Sequence, residues 1–201
     1  RHHALHNVIS DTSPVHWRYG AIARLQHGET IEKFLHDGYS TISLGYAGLW
    51  ECVFALNGKK LTREIEADLL LIDFVRNEGC FSVKRGCETS NCGLCTVFMD
   101  DKPVLSCSIL AARADGHAIT TLEGLQEEAA EFGAFIADQG AEQCGFCNPG
   151  FIMNALALFR ENPEPSEEEI KEYLAGNLCR CSGYEGQLRG ILSFLAWKKN
   201  K

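Results

Sequence analysis

The sequence lacks any apolar run approaching the ~18 residues that would suggest a bilayer span. Its N-terminus also lacks the basic start, apolar centre and small-residue cleavage site of a secretory leader. Membrane insertion and export are therefore unsupported, and a cytoplasmic location is expected. Positive charge is scarce too, with 19 Lys and Arg against 27 Asp and Glu and a net charge of −8. A nucleic-acid binder would need a basic face, so that class is set aside. There is no internal repeat and no low-complexity tract, and Asp, Glu and His are scattered without a pairing that suggests acid–base catalysis. Apolar content of 45 % and charged content of 23 % are ordinary for a globular protein, and 201 residues allow one or two domains.

Cysteine is what the chain has in excess. Ten cysteines without an export signal point away from disulfides and towards metal or redox chemistry. Composition divides the chain into three regions. Residues 1–50 hold no cysteine but six of the seven histidines. Within them "GETIEKFLHDG" has the pattern of a short helix, with Thr30 as N-cap and Gly38 as its stop. His2, His3 and His6 raise a metal-binding arm, and a solvated or added tail is the reading adopted.

Residues 51–122 read as strands and tight turns. "ECVFALNGKKLTREI" is two strands across Asn57-Gly58, because both turn residues tolerate positive φ. "DLLLIDFVRNEG" is helical in pattern and ends at Gly79. "TVFMDDKPVLSC" is a second strand–turn–strand across Asp100–Pro103. Residues 123–201 change to helical periodicity. "LQEEAAEFGAFIADQGA" is one helix, and "GFIMNALALFREN" a second, apolar on most sides and hence buried. Pro163 and Pro165 break that helix, and Ser166 with Glu169 forms a capping-box signature for a third, stopped by Gly176. "GYEGQLRGILSFLAW" is the last, with Tyr184, Leu188, Ile191, Leu192 and Leu195 expected on one face. The fold class is therefore α+β.

Eight cysteines fall into two groups of four. Cys87, Cys92, Cys95 and Cys107 follow the Cys-x4-Cys-x2-Cys plus distant Cys spacing of plant-type 2Fe–2S proteins. Gly86 and Gly93 supply the loose backbone such a wrapped loop requires. The second group is Cys144-x2-Cys147 with Cys179-x-Cys181, both pairs at expected helix starts, where the dipole favours thiolate. Spacing alone leaves iron–sulfur, structural zinc and disulfide open for this second group. Cys52 and Cys80 stand outside both and read as small buried apolar residues.

Three ordered motifs, "GCETSNCGLCTV", "QCGFCNPGF" and "GNLCRCSGY", together resemble the small iron–sulfur subunit of the molybdenum hydroxylases, the xanthine dehydrogenase and aldehyde oxidase family. The resemblance covers residues 51–197. It implies an N-terminal β-grasp, plant-type ferredoxin-like domain at 51–122, with one 2Fe–2S cluster on Cys87, Cys92, Cys95 and Cys107. An all-α four-helix domain at 123–201 would follow, with a second 2Fe–2S cluster on Cys144, Cys147, Cys179 and Cys181. Gln143 matches a glutamine that contacts the molybdopterin in relatives. The sequence departs from the family's usual residues at Ser90, Leu94, Asn148 and Ser182. Ser90 bears on loop detail if its φ is positive. Residues 1–50 stand outside the pattern, as an N-terminal extension that is either a linker or a tail similar to the close of the family's FAD-binding subunits.

The function this implies is electron transfer, from a molybdopterin-binding large subunit through both clusters towards an FAD-binding subunit. No catalytic residue is expected in this chain, since the substrate site lies on another. Purine or xanthine-type substrates come first, nicotinate-like heterocycles and aldehydes next. A free-standing ferredoxin and a zinc-binding structural module are the alternatives.

Overall fold

The computed structural model describes residues 49–201. The expected helix at 28–38, the histidines of residues 1–6 and the FAD-subunit-like segment lie outside the described residues. In chain order the elements are β1 (Leu49–Leu56), β2 (Lys59–Glu66), α1 (Leu71–Asn77), β3 (Thr96–Met99), β4 (Lys102–Leu105), β5 (Ala118–Thr120), α2 (Gln126–Asp138), α3 (Asn148–Glu161), α4 (Glu167–Tyr173) and α5 (Glu185–Lys199). Strands and α1 come first and four helices follow, which makes the class α+β. None of the described helices is long and apolar enough to cross a membrane.

The β1–β2 hairpin turns on Asn57-Gly58, with φ of 48° and 77°, matching the twist of the strands it joins. Asn57 also works at long range. Its Oδ1 accepts the Thr121 N–H at 2.8 Å, and its Nδ2 donates to Thr121 Oγ1 at 3.0 Å. The turn thus pins the start of the link to α2. The β3–β4 hairpin turns on Asp100-Asp101, with φ of 48° and 64° and no glycine. The Asp100 carboxylate offsets part of that cost by accepting the Ala118 N–H at 2.9 Å and meeting the His117 ring. This turn is shorter than expected. Pro103 lies within β4, opposite Phe98, and is tolerated because β4 is an edge strand.

The sheet order is β2-β1-β5-β3-β4, with β5 parallel to β1 and antiparallel to β3. Helix α1 buries Leu71, Ile72, Phe74 and Val75, and the Phe54 and Phe74 rings lie 4.1 Å apart. Cys52 and Cys80 are 0 % and 5 % exposed in this core, as expected of small apolar side chains.

Phe132 centres the second core, edge-on to Phe159 at 5.3 Å and to Phe194 at 5.2 Å. Helix α3 is buried nearly all round, as its sequence implied, and packs on β3. Phe98 of β3 belongs to this helical core, with the Arg160 guanidinium 4.8 Å above its ring. The capping box forms: Ser166 N–H reaches Glu169 Oε2 at 2.7 Å, and Glu169 N–H reaches Ser166 Oγ at 3.3 Å. Helix α4 ends at Tyr173, ahead of Gly176, whose carbonyl instead faces the first cysteine loop. Helix α5 meets expectation at Leu188, Ile191 and Leu195, which pack on the core, and departs from it at Tyr184 and Leu192. It buries Gln187, Leu188, Ile191 and Phe194, while Tyr184 and Leu192 are exposed. Phe194 meets four aromatic rings, Phe132, Phe135, Phe159 and Trp197, a larger burial than Leu192 could provide.

Candidate metal centres

One loop supplies three thiols of the first group, and the turn after β4 supplies Cys107. Between Arg85 and Cys95 the backbone takes positive φ at Glu88 (54°), Ser90 (61°) and Gly93 (70°), which curls it around the cysteines. The Ser90 conformation is the one the sequence left in question, and its Oγ lies 3.9 Å from Cys107 Sγ. Gly86 serves by close approach instead of by φ, since a Cβ there would sit 2.8 Å from Cys92 Sγ. The curl aims amide protons at sulfur. Cys87 Sγ accepts from Thr89, Asn91 and Cys92 N–H at 3.4, 3.2 and 3.3 Å, and Cys92 Sγ accepts from Cys87 N–H at 3.3 Å. Led by the Thr89 and Asn91 amides, these bonds pull the Cys87 pKa down to about 6. Cys95 and Cys107 form the other pair; burial, with the neighbouring Cys107 thiol, pushes Cys95 up to about 11. The Ser106 hydroxyl and N–H both hold the Cys95 carbonyl, at 2.7 and 3.2 Å.

The second group is assembled from two segments. Cys144 Sγ and Cys181 Sγ lie 3.6 Å apart. Cys147 pairs with Cys179, and burial together with that neighbour drives Cys147 up to about 12. Burial works against ionisation of Cys179 too, but the Ser182 hydroxyl and N–H bring it down to about 7. The couplet Cys179-x-Cys181 is therefore split between two pairs, and each pair takes one thiol from each motif. The helix-start expectation holds for Cys147 alone, the N-cap of α3. Cys144, Cys179 and Cys181 lie in loops, and α5 begins only at Glu185. The pairs differ in depth: Cys144 and Cys181 are exposed, Cys147 is buried and Cys179 half-buried.

Thiols that share a tetrahedral metal with bonds of ~2.3 Å stand ~3.8 Å apart, close to the spacing of Cys144 and Cys181. Among the described residues no three His, Cys, Asp or Glu side chains converge on one point, as a four-thiolate zinc site requires. Sulfurs in twos suit a dinuclear cluster, each iron taking one pair. Bound iron would also hold the raised Cys95 and Cys147 thiols deprotonated. The residues present fit two such clusters.

The two groups touch. Cys92, Leu94 and Cys147 form a small buried cluster, with Cys87 and Cys179 packed against it. Leu178 N–H, next in sequence to Cys179, donates to the Cys92 carbonyl at 3.0 Å. The first turn of α3 presses on the first loop, where a Cβ on Gly150 would sit 2.2 Å from the Gly93 carbonyl. Buried Asn177, held by Asn154 at 2.6 Å, abuts Gly93. Sequence reasoning missed Leu178, Asn177 and Ser106, since no spacing marks residues that work through tertiary contact.

The outer pair opens on a cleft of about 430 Å³, lined also by Phe146, Leu178, Arg180 and Tyr184. Phe146 and Leu178 are 48 % and 50 % exposed, an apolar rim beside the cysteines. Gln143 lies at this edge and donates Nε2–H to the Cys181 carbonyl at 3.0 Å, tying the two motifs together.

Residues 54–131 match the family described as "2Fe-2S iron-sulfur cluster binding domain", and residues 121–192 match "[2Fe-2S] binding domain". The chain is 47 % identical over 122 residues to one subunit of a probable xanthine dehydrogenase from Bacillus subtilis, covering 59 % of this chain and 70 % of that one. With the nicotinate dehydrogenase small FeS subunit of Eubacterium barkeri it shares 43 % over 132 residues, 64 % of this chain and 84 % of the relative. Among solved structures, quinoline 2-oxidoreductase from Pseudomonas putida 86 superposes with a TM-score of 0.71 at 36 % identity, over 77 % of this chain and 98 % of that chain. Paired thiols, amide-lined loops and these likenesses converge: the chain belongs to the 2Fe–2S iron–sulfur subunits of the molybdenum hydroxylase family.

Proposed function

We propose that the chain holds two 2Fe–2S clusters and passes electrons one at a time from a molybdopterin site on a large partner subunit towards FAD on another. Cys87 and Cys92 hold one iron of the first cluster, and Cys95 and Cys107 the other. Cys144 with Cys181, and Cys147 with Cys179, hold the irons of the second. The first cluster belongs to a β-grasp, ferredoxin-like domain at 51–122, and the second to a four-helix domain at 123–201. The buried contact of Cys92, Leu94 and Cys147 carries this reading, because it sets two thiol groups side by side out of water. Electrons enter at the exposed Cys144–Cys181 pair, whose apolar rim fits a docked subunit, and Gln143 faces the pterin from that edge.

A free-standing ferredoxin has no use for a second, exposed thiol pair ringed by Phe146 and Leu178. The substrate is bound by the large subunit. Purine-type substrates come first, given the xanthine dehydrogenase relative, with nicotinate-like heterocycles close behind. Metal analysis tests the core of the proposal. About four iron and four acid-labile sulfides per chain, with two distinct EPR signals on reduction, are expected. A colourless protein with stoichiometric zinc would overturn it. Gln143→Ala should leave both signals intact while slowing reduction by substrate in the complex.

A further inference from the structure

The hydrogen bonds around the second cysteine group are lopsided. Cys179 Sγ accepts two, from the Ser182 N–H at 3.3 Å and the Ser182 hydroxyl at 3.2 Å. Among the described residues no side-chain hydroxyl reaches Cys144 or Cys181, whose sulfurs lie 3.6 Å apart, and the Cys147 thiol points to Asn148 Oδ1 at 3.6 Å. A serine hydroxyl has a single proton to give. Here Tyr184 N–H donates to Ser182 Oγ at 3.3 Å and occupies a lone pair, which leaves that proton for sulfur. Tyr184 is fixed in turn, left-handed at φ 71° as the N-cap of α5, with its Oη accepting the Cys179 N–H at 3.0 Å. The loop from Cys179 to Tyr184 closes on itself and aims one hydroxyl at one thiol.

Donors on a ligand sulfur favour the more negative oxidation state, and so raise the potential. We propose that Ser182 is a redox-positioning residue. Its hydroxyl draws the electron added to the second cluster onto the iron held by Cys147 and Cys179, and raises that cluster's potential. This rests on the reading that both cysteine groups hold clusters. The step is a one-electron reduction of one ferric ion to ferrous, with no bond broken and no proton taken up. The electron comes from the reduced molybdenum centre in the complex, or from dithionite in a titration. Its destination is the inner pair, next to the Leu178–Cys92 hydrogen bond that leads to the first group.

The test uses the cluster-loaded full chain with Ser182→Ala, Ser182→Val and Ser182→Thr, titrated with dithionite and followed by EPR. Ala and Val should shift the reduction equilibrium of the second cluster about tenfold towards the oxidised form, or ~59 mV for a one-electron couple. The first cluster should not move, and Thr should restore the original midpoint. Val and Thr share a shape, so a packing defect would appear in both and a hydroxyl effect in Val alone. An unchanged second midpoint, an equal shift in both clusters, or a Thr variant that behaves like Val would overturn the inference. On the unsubstituted protein, paramagnetic NMR should assign the ferrous-coupled β-protons to Cys147 and Cys179; assignment to Cys144 and Cys181 would also overturn it. A wild-type chain without iron would instead sink the two-cluster reading, an outcome distinct from all of these.

Discussion

The first cysteine group and the second present four thiols each, but by different means. Cys87, Cys92 and Cys95 lie on one curled loop whose own amides face the sulfurs, and Cys107 comes from the turn that follows β4. The second group draws two thiols from the loop before α3 and two from the loop before α5, and pairs them across. Its sulfur donors are few, and Ser182 supplies two of them. A locally closed loop depends chiefly on its own backbone. A crossed site depends on the helices that bring its halves together, so the aromatic core around Phe132 is as much a part of it as the cysteines.

That contrast can be broken most sharply at the ligands. Cys147→Ser should remove the second EPR signal and about half the iron, leaving the first signal in place; Cys87→Ser should do the reverse. Retention of both signals in either variant would show the assignment of thiols to be wrong. Next in size is Phe132→Ala, which should cost about 3–5 kcal/mol by emptying the helical core. Followed by heating, the second cluster's absorption should be lost before the first's, and simultaneous loss would mean that the two sites share one support.

Gly150→Ala sharpens the comparison where the regions meet. Its Cβ would clash with backbone, which cannot yield as a side chain would, and the expected cost is about 1–3 kcal/mol. A fall in Tm of roughly 2–4 °C per kcal/mol should follow. The smallest effect concerns Glu123, beside the first loop. Partial burial opposes its charge, but Ser82 and Thr121 hydroxyls at 2.6 Å and the Ser82 N–H at 2.8 Å hold its pKa below the usual value. A depressed folded pKa means that the unfolded chain takes up the proton first. This contribution is therefore complete above the ordinary glutamate pKa and lost as pH falls through the folded one. Glu123→Gln should flatten that part of the acid stability profile and leave neutral-pH EPR unchanged.

What was legible in the sequence is what local chemistry decides. Asn57-Gly58 had to be a hairpin turn because its φ values suit few other pairs, and Ser166 with Glu169 had to cap a helix because both bonds close within four residues. The first cysteine loop is of the same kind. One edge of the α5 face was misjudged because periodicity alone does not show whether Leu192 or Phe194 meets the Phe132 cluster. Pro103 was assigned to a turn because edge position in a sheet is invisible along the chain.

By itself the sequence determined which residues are thiols, how they group, and that iron–sulfur chemistry suits them. Tertiary structure alone decided the pairing of Cys144 with Cys181 and Cys147 with Cys179, the depth of each pair, and the meeting of both groups at Leu94. The reason is physical. Spacing fixes how far a thiol can reach, but only the packing of α2, α3 and α5 fixes which thiol it reaches.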